Sequence, residues 1–167
     1  LVCEPTDPSC TAGVIFFNNV GYLNMCGHGT IGTITMGIEA GLIRPAKPGF
    51  VKMEAPAGLV SIQYKTSHEP SAINSGQRKV ESVKLTNVPA FLHSAELTAD
   101  CPELGELVFD VAYGGNFYAI VEVQKNFRGL EHYTADKLIA WARELRKDIN
   151  ARYEFVHPEN ETINGCS

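Results

Sequence analysis

The stretch that most restricts the fold begins at Gly27. No Asp, Glu, Lys or Arg occurs from there until Glu39, and Ile31, Ile34, Ile38 and Leu42 recur at spacings of three and four. That period predicts an α-helix over residues 27–42, with Gly41 as its C-terminal stop. A helix without charge is apolar nearly all round and belongs in the middle of a fold. Its four glycines, Gly27, Gly29, Gly32 and Gly37, run against helix formation, each by about 1 kcal/mol relative to Ala. Such a concentration calls for close approach of a ligand or a packed neighbour.

Around this helix the chain alternates between strand signals and turns. Residues 13–17, Gly-Val-Ile-Phe-Phe, suit a buried strand, and residues 18–24 suit a loop. Pro45, Pro48 and Gly49 mark a connector, and a sheet-like region follows it. Val60, Ile62 and Tyr64 alternate with Ser61, Gln63 and Lys65 at the period of a half-buried strand. Residues 66–77, rich in Ser, Pro, Asn and Gly, predict a surface loop, and alternation resumes over 80–88. Residues 107–113 and 117–123 predict two strands flanking Gly114-Gly115, a tight turn or a bulge. The last element is an amphipathic helix with Thr134 as N-cap, Asp136 in its first turn and Leu138, Trp141, Ala142, Leu145 and Ile149 on one face. The order gives an α+β class.

Length and composition narrow the function. The 167 residues, 44% hydrophobic and 20% charged, fit a soluble globular protein of one domain or two small lobes. With 14 Lys and Arg against 19 Asp and Glu, the net charge is -5. No basic stripe favours nucleic acid or an anionic membrane, and no stretch reaches the roughly 20 apolar residues of a membrane span. Five scattered cysteines without CxxC pairs fit the reducing cytoplasm. The ends show no targeting signal, and both suggest an internal fragment of a longer chain.

The chemistry concentrates at Met25-Cys26-Gly27-His28-Gly29-Thr30-Ile31-Gly32. A cysteine at a helix N-terminus meets unpaired N–H groups and the positive end of the dipole, which favour thiolate. The same N–H groups, left uncovered by glycine, can seat a carboxylate. A thiolate beside a carboxylate seat suits proton transfer at the carbon α to that carboxylate. The plainer alternative is a buried structural cysteine. A Cys-x-His metal pair lacks further ligands at suitable spacing. A papain-like nucleophile needs a base, and nothing marks His68, His93, His132 or His157 for that role. The match of Gly27, Gly29 and Gly32 to GxGxxG lacks the acidic residue about 20 positions on, which argues against a dinucleotide.

At these residues the chain resembles the proline racemase family. Residues 19–32, Asn-Val-Gly-Tyr-Leu-Asn-Met-Cys-Gly-His-Gly-Thr-Ile-Gly, match the family's first cysteine motif. Pro56-Ala57-Gly58-Leu59-Val60, Asn87-Val88-Pro89, residues 110–121 and His157-Pro158 follow in family order. The resemblance implies a fold like diaminopimelate epimerase, with two α+β lobes, each a curved sheet around a central helix. Residues 1–57 would belong to the first lobe and 58–167 to the opening part of the second. It further implies that Cys26 is one of two acid/base cysteines, that Gly27 and His28 bind the substrate, and that no cofactor or metal is needed. The substrate would be proline or 4-hydroxyproline, and the assembly a homodimer. The family's second motif, Asp-x-Ser-Pro-Cys-Gly-Thr-Gly, does not occur within residues 1–167. Neither Cys101, expected in a Glu-rich loop, nor Cys166 replaces it. A trans-3-hydroxyproline dehydratase, with Thr at the second position, and an amino-acid-binding domain without catalysis are the alternatives.

Overall fold

The computed structural model describes residues 1–19, 21–125 and 127–166; Val20, in the expected 18–24 loop, and Ser167 lie outside the described residues. The chain forms two compact units, Leu1–Pro89 and Ala90–Ser167. The class is α+β, as the sequence implies. The expected division at 57/58 is corrected. Ala55 pairs directly with Gly58, so Pro56-Ala57 is the turn of a hairpin inside one sheet. Gly58 enters its strand at φ +126°, a conformation that a side chain resists.

The first unit is built on a five-stranded mixed sheet. Its strands are β1 (Val2–Cys3), β2 (Ala12–Val14), β5 (Phe50–Ala55), β6 (Gly58–Pro70) and β7 (Arg78–Thr86), in the order β1-β2-β5-β6-β7. Only β2 and β5 run parallel. Between them in sequence come a small hairpin, β3 (Phe16–Phe17) with β4 (Tyr22–Leu23), and helix α1 (Gly27–Glu39). Alternation decides which face is covered: Val51, Met53, Val60 and Ile62 are buried, while Lys52, Ser61 and Gln63 are not. Each such aliphatic side chain contributes about 1.5–3 kcal/mol on burial.

Helix α1 packs against β7, and Thr30, Ile34, Gly37 and Ile38 are buried along it. The expectation that it is buried all round is corrected, because Ile31 is 42% and Met36 54% exposed. Residues 1–167 therefore cover one face of the helix. Its end also differs from expectation. The helix stops at Glu39, Gly41 turns at φ +72°, and the N–H groups of Leu42 and Ile43 both donate to Gly37 O at 2.9 Å. This reversal throws Leu42 outward and folds Ile43 onto Gly37, where a Cβ would lie 2.5 Å from Ile43 Cδ1. Close packing thus explains Gly37. At the same end, buried Glu39 accepts from Ser71 Oγ at 2.6 Å and from Val80 N–H at 2.8 Å. These bonds hold its carboxyl below the usual glutamate range, the Ser71 hydroxyl having the larger effect and the Val80 amide the next.

The second unit carries β8 (Phe91–Cys101), β9 (Gly105–Tyr113) and β10 (Phe117–Ile120) in an antiparallel sheet, ordered β10-β9-β8. Helix α2 (Ala135–Arg152) packs against β8, and the pair β11 (Val156–His157) and β12 (Asn160–Asn164) follows. Gly114-Gly115-Asn116 is the turn of the β9–β10 hairpin, with Gly115 at φ +104°. Three local expectations are corrected. Residues 66–70 belong to β6, the strand expected over 117–123 ends at Ile120, and Cys101 is the buried last residue of β8. Among the described residues no helix is long and apolar enough to cross a membrane.

Candidate active site

Cys26 stands immediately before α1 as its N-cap, with extended backbone at φ −142° and ψ 107°. The residue before it, Met25, is buried, while Cys26 itself is half-buried. Ala57 N–H donates to Asn24 O at 3.0 Å, so the turn of the β5–β6 hairpin holds the segment that leads into the thiol. That contact gives the Pro56-Ala57-Gly58 motif a local purpose.

The sulfur does what an N-cap oxygen does in most helices: Cys26 Sγ accepts from Gly29 N–H at 3.4 Å. The first-turn N–H groups of Gly27 and His28 have no i−4 carbonyl in the helix, and no acidic residue stands in that turn. The positive end of the dipole is thereby left for an anion. His28 is exposed, and its Nε2 and Nδ1 lie 3.5 Å and 3.7 Å from Cys26 Sγ. The three residues expected at the site, Cys26, Gly27 and His28, are therefore together by chain continuity and by contact. On the other side, a Cβ placed on Gly29 would lie 3.0 Å from both Cys26 Sγ and Phe16 Cε1. Gly29 makes room for the thiol against the Phe16 ring. Around Gly27 and Gly32 a Cβ would meet nothing within 4 Å.

The other thiols have different surroundings. Burial, and after it Glu103, pushes the Cys101 thiol up, and burial together with Asp7 does the same to Cys10. Cys166 is buried and its backbone is held by the Asn150 side chain, at 2.8 Å and 3.0 Å. The remaining histidines are engaged elsewhere. His68 lies 3.3 Å from Arg78, His93 bonds Ser94 and sets its ring edge on Phe117, His132 lies 3.5 Å from Glu131, and His157 packs against Tyr113. Among the described residues no group of three His, Cys, Asp or Glu side chains could hold a metal ion. A cavity of about 230 Å³ in the second unit, between Leu107 and Trp141, is walled mostly by apolar side chains and offers no comparable chemistry.

Sequence patterns did not point to Phe16, and they placed Thr30 in the motif without giving it a task. Thr30 Oγ donates to Cys26 O at 2.9 Å. The available signal was its position four residues after the cap, where a Thr hydroxyl reaches back to the carbonyl of residue i−4.

A 4-hydroxyproline 2-epimerase of Spirosoma linguale is 56% identical over all 167 residues, which make up 47% of that protein. The chain thus spans about half the length of the curated relatives it matches. The crystal structure of a hydroxyproline epimerase from Agrobacterium vitis with bound trans-4-hydroxy-L-proline superimposes with a TM-score of 0.81 at 30% identity, covering 99% of this chain and 46% of that one. That of a probable proline racemase from Agrobacterium radiobacter with bound carbonate gives 0.82 at 28% identity, covering 99% and 46%. The family model described as proline racemase matches residues 1–167, and the chain belongs to the proline racemase family.

Proposed function

We propose that the protein containing this chain is a cofactor-independent 4-hydroxyproline 2-epimerase in which Cys26 is one of two acid/base thiols. The observation that carries the proposal is the capping geometry: Cys26 Sγ sits on the Gly29 N–H at the open, acid-free N-terminus of α1. In the proposed reaction, the substrate carboxylate rests on the N–H groups of Gly27 and His28, with the His28 ring helping to orient it. The Cys26 thiolate removes the Cα proton and becomes a thiol. A second thiol then donates a proton to the opposite face of the carbanion and is left as thiolate, so charge and protons balance over the turnover. By family resemblance that second thiol comes from a later glycine-rich motif. Held geometry and general acid–base transfer together account for rates that a free thiol in water does not reach.

Relatives named 4-hydroxyproline 2-epimerase or 4-hydroxyproline epimerase, at 51% to 56% identity, support 4-hydroxyproline over proline. Five free cysteines support a reducing, cytoplasmic setting. Resemblance also favours a homodimer, which sedimentation of the full-length protein checks. The central test is exchange of the substrate α-hydrogen with solvent D2O, catalysed by the full-length protein. Cys26→Ser is expected to reduce exchange by at least about 10³-fold; exchange at the unsubstituted rate removes Cys26 from the mechanism. Loss of the β-hydroxyl from trans-3-hydroxyproline, in place of epimerisation, moves the assignment to a dehydratase.

A further inference from the structure

The sulfur of Cys26 is weakly tethered. Its backbone contact is one long bond to Gly29 N–H, 3.4 Å, and its side-chain neighbour His28 is exposed. The base from which Sγ is set, the Cα–Cβ bond, is therefore placed by the Cys26 backbone. The carbonyl of that residue is held twice, by Thr30 N–H at 2.9 Å and by Thr30 Oγ at 2.9 Å. Thr30 has no exposed surface at all. Its hydroxyl also lies 3.8 Å from Met25 Sδ, but a single proton goes to the nearer and stronger acceptor, the carbonyl oxygen. With the carbonyl fixed at ψ 107°, the Cα–Cβ bond of Cys26 has one direction, and the thiol starts from one place.

We propose that Thr30 is a positioning residue for the acid/base thiol, acting through its hydroxyl on the Cys26 peptide. This deepens the function given above and rests on Cys26 being an acid/base group. A threonine bonding back to residue i−4 is common in helices. Here, however, the acceptor belongs to the residue that carries the thiol, and the hydroxyl adds a second bond to a carbonyl that otherwise takes the backbone bond from Thr30 N–H. Proton transfer from carbon is sensitive to misplacement of the base by a fraction of an ångström to an ångström.

The test uses the full-length protein with Thr30→Val, which keeps the shape and removes the donor, and Thr30→Ser, which keeps the donor and removes the methyl. Val is expected to lower kcat for epimerisation by about tenfold with KM within about twofold, and Ser to retain kcat within about twofold. Unchanged kcat in the Val variant overturns the proposal, and so does a Ser variant that falls as far as Val, because packing of the methyl then explains the loss. Should Val not fold, Thr30→Ala removes the same donor without adding bulk. Cys26→Ser is run beside them: if exchange survives it, the acid/base function fails separately. Site-resolved alkylation of Cys26 by iodoacetamide then decides the question for Thr30 without turnover, with an expected fall of about threefold for Val and none for Ser.

Discussion

Helices α1 and α2 solve the same end problem in opposite ways. Helix α2 begins with Thr134, whose hydroxyl accepts from Lys137 N–H at 3.4 Å, carries Asp136 in its first turn, and ends with Arg152. Each choice complements the helix dipole. Helix α1 begins with a cysteine, has no acidic residue in its first turn and no basic one in its last, and places Glu39 at its negative end. A sulfur cap and a bare first turn stabilise a helix poorly. The contrast sets a helix capped by its own side chains, α2, against one that starts on a sulfur cap with a bare first turn and packs on β7, the arrangement that the proposed carboxylate seat at Gly27 and His28 calls for.

Exchanging the caps breaks the comparison most sharply. Cys26→Ser provides a better N-cap than the residue it replaces, so the melting temperature of the full-length protein is expected to hold or rise while exchange falls by at least about 10³-fold. A variant that both unfolds and loses activity makes Cys26 structural. Next in size are the two kinds of glycine in α1. Gly37→Ala forces a methyl against Ile43 and is expected to cost about 1–3 kcal/mol in urea unfolding. Gly32→Ala enters space that is open here and is expected to gain up to about 1 kcal/mol from helix propensity; a loss there reports a neighbour from the remainder of the protein. Thr134→Ala is the counterpart at α2, with an expected cost of about 1 kcal/mol and epimerisation kinetics unchanged.

The smallest effect is an acid one. The carboxyl of Glu39 is held below its ordinary value, by Ser71 first and Val80 second. A lowered folded value means that the stabilisation is complete above the unfolded glutamate range and is lost as pH falls through the folded value. Glu39→Gln is therefore expected to flatten the acid limb of the stability profile. A limb of unchanged slope, followed by circular dichroism from neutral to acid pH, excludes Glu39 as its source.

Much of this was legible from residues alone, where one pattern served one purpose. The Thr134 cap, the β9–β10 hairpin and the start of α1 at Gly27 follow from local chemistry. Strand β8 did not show, because its register shifts between Leu92 and Ser94 and again between Ser94 and Leu97, and Glu96 takes φ +57°. Two shifts in one strand erase a period of two. The extension of β6 to Pro70 is hidden by the same cause, with shifts after Lys65 and Thr66. Leu42 and Ile43 are equally apolar, and only the turn at Gly41 decides which one returns to the core. At the site, Cys26, Gly27 and His28 are neighbours in sequence and so could be found together. Phe16 is brought there by the β3–β4 hairpin, a contact that no local pattern records.

The hydrogen bond from Ala57 to Asn24 has a consequence for how such a protein can change. It anchors the approach to the thiol on a sheet turn, just as α1 anchors the departure, so the Cys26 sulfur inherits its coordinates from the scaffold at both ends. Phe17 and Tyr22, exposed and paired across the β3–β4 hairpin, can then vary without disturbing where the thiol is. The exposed face of the hairpin and the position of the sulfur are in this sense separately heritable.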